Sequence, residues 1–200
     1  MRIPSRTWLG IAAVGLIFAA TFSVVRPRVV SARGGAGAPG DDSGNMPVID
    51  LAGYKNMVAQ YHGRPLVVTF WATWCGPCRD EFPMIVGLAK EYAPQGLVIV
   101  GVSLDEDSDL PLARKFLADM HPGFANYRQK PGIDVDSFYQ GVNPDWRGTM
   151  PETGFYARDG HLARYFVGQK TRDAFVQAIR LIMINTDAES RAKGSPSAGN

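Results

Sequence analysis

The sequence predicts an α/β domain whose sheet opens with parallel strands and closes with an antiparallel hairpin. Three observations carry that reading. Residues 65–71 (PLVVTFW) and 97–103 (LVIVGVS) are β-branched and apolar runs of strand length, near-continuous in the way of strands buried on both faces. A helical pattern separates them, and strand, helix, strand in that order implies a right-handed parallel unit. Further on, Arg158-Asp159-Gly160-His161 divides two more apolar runs, and an Asp-Gly step in that setting marks a hairpin.

The elements follow in order. Leu51, Tyr54, Val58 and Tyr61 recur at helical spacing, which predicts a short amphipathic helix over 51–62. After the first strand, a helix over 76–92 would bury Phe82, Ile85, Val86, Ala89 and Tyr92, with Pro83 expected to kink it. Beyond the second strand, Leu112, Phe116, Leu117 and Met120 predict a helix opening near Ser108 or Asp109, and Val135, Phe138 and Tyr139 predict a shorter one. The hairpin strands are 153–157 and 162–167. Phe175, Ile179, Ile182 and Met183 form the stripe of a closing helix, with Thr171 as its N-cap. No internal repeat is present.

Flanking segments set the organisation. A short tail, 1–7, precedes residues 8–25 (WLGIAAVGLIFAATFSVV), eighteen positions without a charge. At roughly 1.5 Å per residue that run nearly crosses a hydrocarbon core of about 30 Å. It exceeds the roughly 7–15 residues of a cleaved signal's apolar core. Arg26 and Arg28 also intervene before the small residues Val30-Ser31-Ala32 that a peptidase would use. A membrane signal-anchor is therefore preferred over a cleaved signal, and the absence of a Cys after the run excludes lipid attachment through cysteine. A short N-terminal tail stays inside while a long domain translocates, which places the domain in the periplasm or another extracytoplasmic space. Residues 26–46 are Gly-rich and polar and read as a flexible linker, 47–186 as the domain, and 187–200 as a disordered tail.

Charge excludes one class of partner. The formal net charge is +2, but between residues 46 and 186 there are 14 Lys and Arg against 15 Asp and Glu. A near-neutral domain without a basic stripe is not built for a phosphate backbone, so nucleic acid is not expected.

The chemistry lies in the two cysteines, Trp74-Cys75-Gly76-Pro77-Cys78. They fall where a buried strand hands over to a helix. Unpaired N–H groups and the helix dipole there favour a thiolate, the nucleophile of disulfide exchange. Cys78, three positions on, comes round beneath Cys75 and resolves a mixed disulfide. Gly76 lets a partner chain approach, and Pro77 fits the first turn of a helix. A purely structural disulfide closing so small a loop removes little unfolded-state entropy. A zinc site would need two further ligands, and His62, His121 and His161 lack ligand spacing, so no metal is expected.

Residues 67–78 (VVTFWATWCGPC), continued by Arg79-Asp80-Glu81-Phe82-Pro83, resemble the active-site segment of the thioredoxin superfamily, and in particular its membrane-anchored TlpA/ResA-like branch. The likeness extends over roughly 48–185 and is strong at the motif and in MPETGFY. It implies a thioredoxin-like mixed sheet flanked by helices, with a central insertion, residues 105–148, between the βαβ half and the ββα half. It also implies that Cys75 is exposed and Cys78 shielded, and that Met150-Pro151 carries a cis peptide bond facing the disulfide. Pro151 would orient a partner backbone beside Cys75, and Met150 and Trp74 would contact it. Thioredoxin has a buried Asp where this chain has Thr69, so proton transfer for Cys78 needs another group; Glu106 is the branch's nearest match. Phe124, Tyr127, Phe138, Tyr139 and Trp146 read as packing for the insertion itself, with a partner groove as the alternative.

The expected activity is thiol–disulfide exchange, with no cofactor because the electrons arrive as thiols. Gly-Pro between the cysteines matches reducing thioredoxins, so reduction of partner disulfides is preferred over oxidation of secreted thiols. Such a reductase needs a membrane electron-donor thiol protein, and apocytochrome c is the kind of secreted partner the family suggests. A non-catalytic thioredoxin-like binding module is the alternative from another class. A thiol peroxidase is disfavoured, because the chain lacks a Cys flanked by Pro and Thr upstream of an Arg.

Overall fold

The computed structural model describes residues 46–193, with side chains placed as far as Met183. The expected membrane segment 8–25, the linker up to residue 45 and residues 194–200 lie outside the described residues.

The chain runs β1 (Val48–Ile49), α1 (Leu51–Gln60), β2 (Leu66–Trp71), α2 (Gly76–Tyr92), β3 (Val98–Ser103), α3 (Leu110–Met120), β4 (Asn126–Gln129), α4 (Val135–Val142), β5 (Glu152–Tyr156), β6 (Leu162–Val167) and α5 (Arg172–Lys193). One sheet takes all the strands in the order β1-β4-β3-β2-β5-β6. The first four are mutually parallel, and β5 and β6 run antiparallel to their neighbours. Every residue of β2 is buried, because β3 and β5 flank its two edges and helices cover both faces.

Each face has its own core. Val68, Phe70, Val100 and Val102 cluster with Tyr54 and Met57 of α1 and Phe138 of α4. Val67, Ile99 and Phe155 cluster with Ile85 and Leu88 of α2 and with Phe175, Ile179 and Ile182 of α5. Strand alternation sends successive side chains of β2 to opposite faces, and this single strand therefore supplies both cores.

The expected mixed α/β sheet is present, with corrections in detail. Strands β1 and β4 carry no sequence signal, and both were missed. The four residues of β4 (NYRQ) are polar, yet β1 and β3 pair with both its edges, and ladder position overrides propensity. Asn126 accepts the Trp71 indole N–H at 3.2 Å and donates to the Phe124 carbonyl at 3.0 Å. Gly101 of β3 makes room for it, since a Cβ there would lie 2.0 Å from Asn126 Oδ1. Leu112, expected inside, is 58% exposed, because α3 turns Ala113 and Leu117 inward instead. Helix α2 includes Pro83, which lies on the exposed face and lacks the N–H for the bond to the carbonyl four residues back. Helix α5 runs to Lys193, with no Gly or Pro before Gly194. At the other end Met46 is buried in the core.

The segment 105–148 lies between the βαβ half and the ββα half of the domain, as expected. It supplies β4 to the middle of the parallel half of the sheet. Phe138 and Trp146, 1% and 0% exposed, pack on Phe70 of β2 with ring centroids at 6.3 and 4.7 Å. These aromatics belong to the main core.

Candidate active site

Four residues, 72–75, connect the end of β2 to the start of α2. Cys75 N–H donates to the Ala72 carbonyl at 3.2 Å, closing a tight turn. Cys75 is then the N-cap of α2, with extended backbone (φ −88°, ψ 101°), and its sulfur accepts the backbone N–H of Cys78 at 3.2 Å. Pro77 occupies the first turn, where its missing N–H costs nothing. Cys75 and Cys78 form a disulfide, their Cα atoms 5.3 Å apart.

The expected contrast in exposure between the two sulfurs is small. Cys75 is 6% exposed and Cys78 3%, so both residues of the disulfide are buried. What stands outside is Trp74, 60% exposed, together with Pro77; Gly76 opens onto free space, with nothing within 4 Å of a Cβ built there. The Met150–Pro151 peptide bond is cis. Met150 is half-buried against the core cluster that contains both cysteines. Pro151 is buried and leads directly into β5, its carbonyl accepting Gly168 N–H at 2.8 Å.

Glu106 is exposed at the start of the turn Asp107–Asp109. Its neighbour Asp105 is the buried one, 2% exposed. Two further buried carboxylates stand outside the residues expected from the sequence. Glu81, 3% exposed, lies on α2 three residues after Cys78 and accepts the Lys170 backbone N–H at 2.8 Å. Burial raises its pKa, and the bond from Lys170 opposes the rise. Its signal was the shared helical face of Cys78, Glu81, Ile85 and Leu88, on which a lone charge stands out. Glu152, 1% exposed, immediately follows Pro151. Its Oε1 accepts from Asn143 Nδ2 at 2.9 Å while Oε2 is buried without a partner, and burial pushes its pKa up to about 7 against that single hydrogen bond. Tyr54 and Tyr156, whose hydroxyls hydrogen-bond to each other, are raised above the ordinary tyrosine value chiefly by burial. Thr69, at the position of thioredoxin's Asp, is hydrogen-bonded to Thr153 at 3.3 Å across the β2–β5 pair.

A cavity of about 490 Å³ lies elsewhere, lined by Tyr61, Arg64, Lys90, Leu97 and Tyr127 at the beginning of β3. The cysteines sit beyond the opposite end of the adjacent strand, so the cavity is not their site. Among the described residues no cluster of His, Cys, Asp and Glu could hold a metal ion.

The AhpC/TSA family model matches residues 39–164, a span that contains the strand–turn–helix, both cysteines and the cis-proline. The chain belongs to the AhpC/TSA family. This member of the AhpC/TSA family is 26% identical over 135 residues to a thiol-disulfide oxidoreductase ResA of Bacillus thuringiensis, covering 67% of this chain and 72% of that one. With a ResA of Geobacillus thermodenitrificans the identity is 26% over 172 residues, 86% of this chain and 89% of the other. Among solved structures it is similar to a putative thiol:disulfide interchange protein DsbE from Chlorobium tepidum, with TM-score 0.53 and 26% identity over 63% of this chain and 84% of that one. The thioredoxin-like fold expected from the motif is thereby shared with a solved relative.

Proposed function

We propose that the chain is an extracytoplasmic thiol–disulfide oxidoreductase that reduces disulfides of partner proteins through Cys75 and Cys78. The observation that carries this reading is the Cys75–Cys78 disulfide seated at the N-terminus of α2, with Cys75 as the N-cap. Relatives named thiol-disulfide oxidoreductase support it.

In the reduced protein, the Cys75 thiolate attacks one sulfur of a partner disulfide. A mixed disulfide forms, the partner S–S bond breaks, and the leaving sulfur takes the electron pair and then a proton. Cys78, deprotonated, attacks the Cys75 sulfur; the Cys75–Cys78 bond forms and the second partner sulfur leaves and is protonated. The partner gains two electrons and two protons, and the cysteine pair is oxidised. A donor dithiol runs both steps in reverse to restart the cycle: one donor thiolate attacks the Cys75 sulfur and frees Cys78, and the second attacks the mixed disulfide, frees Cys75 and leaves the donor as a disulfide.

The surrounding residues divide the remaining work. Trp74, Gly76 and Pro77 form the outward surface a partner meets, and Met150 and cis-Pro151 align its backbone beside Cys75. Glu81 takes the Cys78 proton, since residues three apart on a helix are neighbours, and its raised pKa suits a group that both accepts and returns a proton. It is preferred over Glu106, which is exposed. The uncharged run 8–25 supports attachment to a membrane with the domain outside the cytoplasm; among the described residues no helix is long and apolar enough to cross one.

The test is the reduction potential of the pair, equilibrated against a defined thiol buffer. A value on the order of −270 mV is expected of a reductase. A value nearer −120 mV would reverse the electron flow and make the protein an oxidant of secreted thiols. A pair that resists reduction would replace exchange with the binding-module reading.

A further inference from the structure

We infer that Asp105 is a positioning residue for the nucleophile, holding the turn that carries Trp74 and Cys75 from the end of the neighbouring strand. The inference rests on the exchange reading above for its functional meaning, and on four hydrogen bonds for its geometry. Asp105 Oδ1 accepts the Thr73 backbone N–H at 2.9 Å and the Thr73 hydroxyl at 2.5 Å. Oδ2 accepts the Ser103 hydroxyl at 2.7 Å and lies 3.2 Å from the same Thr73 nitrogen. The Ser103 oxygen in turn accepts the Asp105 backbone N–H at 3.0 Å, which fixes the carboxylate's own direction.

Strands β2 and β3 end side by side, with Trp71 opposite Ser103. The Leu104 N–H donates to the Trp71 carbonyl at 2.8 Å, so the pairing continues one step past the last β3 residue. Beyond that step the backbones separate, one towards α2 and the other towards α3, and the Asp105 side chain spans the gap. The other hydrogen bonds of the turn 72–75 all involve Cys75: its N–H to Ala72, the Cys78 N–H to its sulfur, and the Arg79 N–H to its carbonyl. Without Asp105, the Thr73 N–H would lose its acceptor at the position that decides whether Trp74 points outward and Cys75 caps the helix. Three converging donors occupy the two carboxylate oxygens, so this group serves geometry rather than proton transfer.

The experiment uses the purified protein, wild type and with Asp105→Ala, Asp105→Asn or Thr73→Val, each also in a Cys78→Ser background so that Cys75 is the sole thiol. Three quantities are read: the rate of exchange with a small disulfide, the pH profile of Cys75 alkylation by iodoacetamide, and the denaturant midpoint. Asp105→Ala is expected to slow exchange about 10-fold or more and move the alkylation profile to higher pH, because a misplaced Cys75 loses the helix N-terminus. Asp105→Asn keeps one oxygen for Thr73 and recovers most of the rate, whereas Thr73→Val, which removes one of the three donors, slows exchange about 3-fold.

If Asp105 acted only as a nearby negative charge, both Asp105 variants would move the profile to lower pH by equal amounts, and the proposal would be overturned. It is likewise overturned if all three variants fold with wild-type rates and profiles. Should Asp105→Ala fail to fold, Asp105→Asn and Thr73→Val decide: wild-type behaviour in both sinks the proposal. A wild-type protein that exchanges no disulfide, yet shows the expected alkylation shifts in its variants, would refute the exchange reading and leave the clamp standing.

Discussion

The backbone N–H of Cys78 points at the sulfur of Cys75, 3.2 Å away, so the nucleophile is itself the cap of the helix it initiates. Caps are usually oxygens, because an oxygen accepts strongly from the orphan N–H groups of the first turn. Sulfur accepts weakly as a disulfide and strongly as a thiolate. Reduction therefore strengthens the cap, and the helix end stabilises the anion. The reduced Cys75 is expected to be alkylated with a midpoint below the free-cysteine value of about 8.5. A midpoint at or above that value would remove the helix N-terminus from the mechanism.

Glu152 makes stability depend on pH with a definite sign. Its folded-state pKa is raised to about 7 by burial, above the ordinary value near 4.5, so the folded protein holds a proton the unfolded chain has lost between those limits. Stability falls as pH rises through that window and levels off above it, and Glu81, raised for the same reason, adds in the same direction. Glu152→Gln removes the Glu152 part. Its unfolding free energy from chemical denaturation is expected to match wild type near pH 4.5 and exceed it at pH 8, by about 1–2 kcal/mol. Equal pH dependence in the two proteins would show that Oε2 is not the desolvated atom described above.

Gly101 is fixed by a neighbour rather than by its own backbone. A methyl group there meets Asn126 Oδ1 at 2.0 Å and the Trp71 indole nitrogen at 3.1 Å. Gly101→Ala forces Asn126 away from both its partners in the middle of the sheet. The expected loss is about 2–4 kcal/mol in chemical denaturation, the sum of overpacking and a broken buried hydrogen-bond pair. A loss below about 0.5 kcal/mol would mean that β4 yields freely.

Phe138 tests whether the segment 105–148 is integral to the core. It meets Tyr54 and Phe70 at centroid distances of 6.1 and 6.3 Å. Phe138→Ala is expected to cost about 3–5 kcal/mol in a single unfolding transition. Two separated transitions would instead describe an independent subdomain.

Much of the fold was legible because β2, β3 and the helices α1, α2 and α5 bury continuous or periodic apolar sets, and periodicity is what a chain displays in one dimension. The cysteine pair was legible for the same reason: its spacing matters locally, at one strand-to-helix junction. Strand β4 was not, since its stability comes from two partners brought from residues 48–49 and 101–103. Glu81 and Glu152 were overlooked because a charged letter reads as surface until the third dimension removes its water. The loop after β3 shows the same limit: Glu106, the acid that matches the family pattern, is exposed, while its neighbour Asp105 is buried and bonds to Thr73.

Strand β1 touches the rest of the sheet through β4 alone, by a two-residue ladder in which Pro47 and Ile49 accept from Arg128 and Lys130 at 2.9 and 2.8 Å. A pull transmitted along the chain from before residue 46 meets buried Met46 and then that ladder. Two rungs at the rim can open like a zipper while β2, three strands away in the sheet order, keeps its six-residue pairing with β3. The N-terminal entry into the domain is thus secured at the rim of the sheet, with β4 and β3 standing between it and the strand that leads to the cysteines.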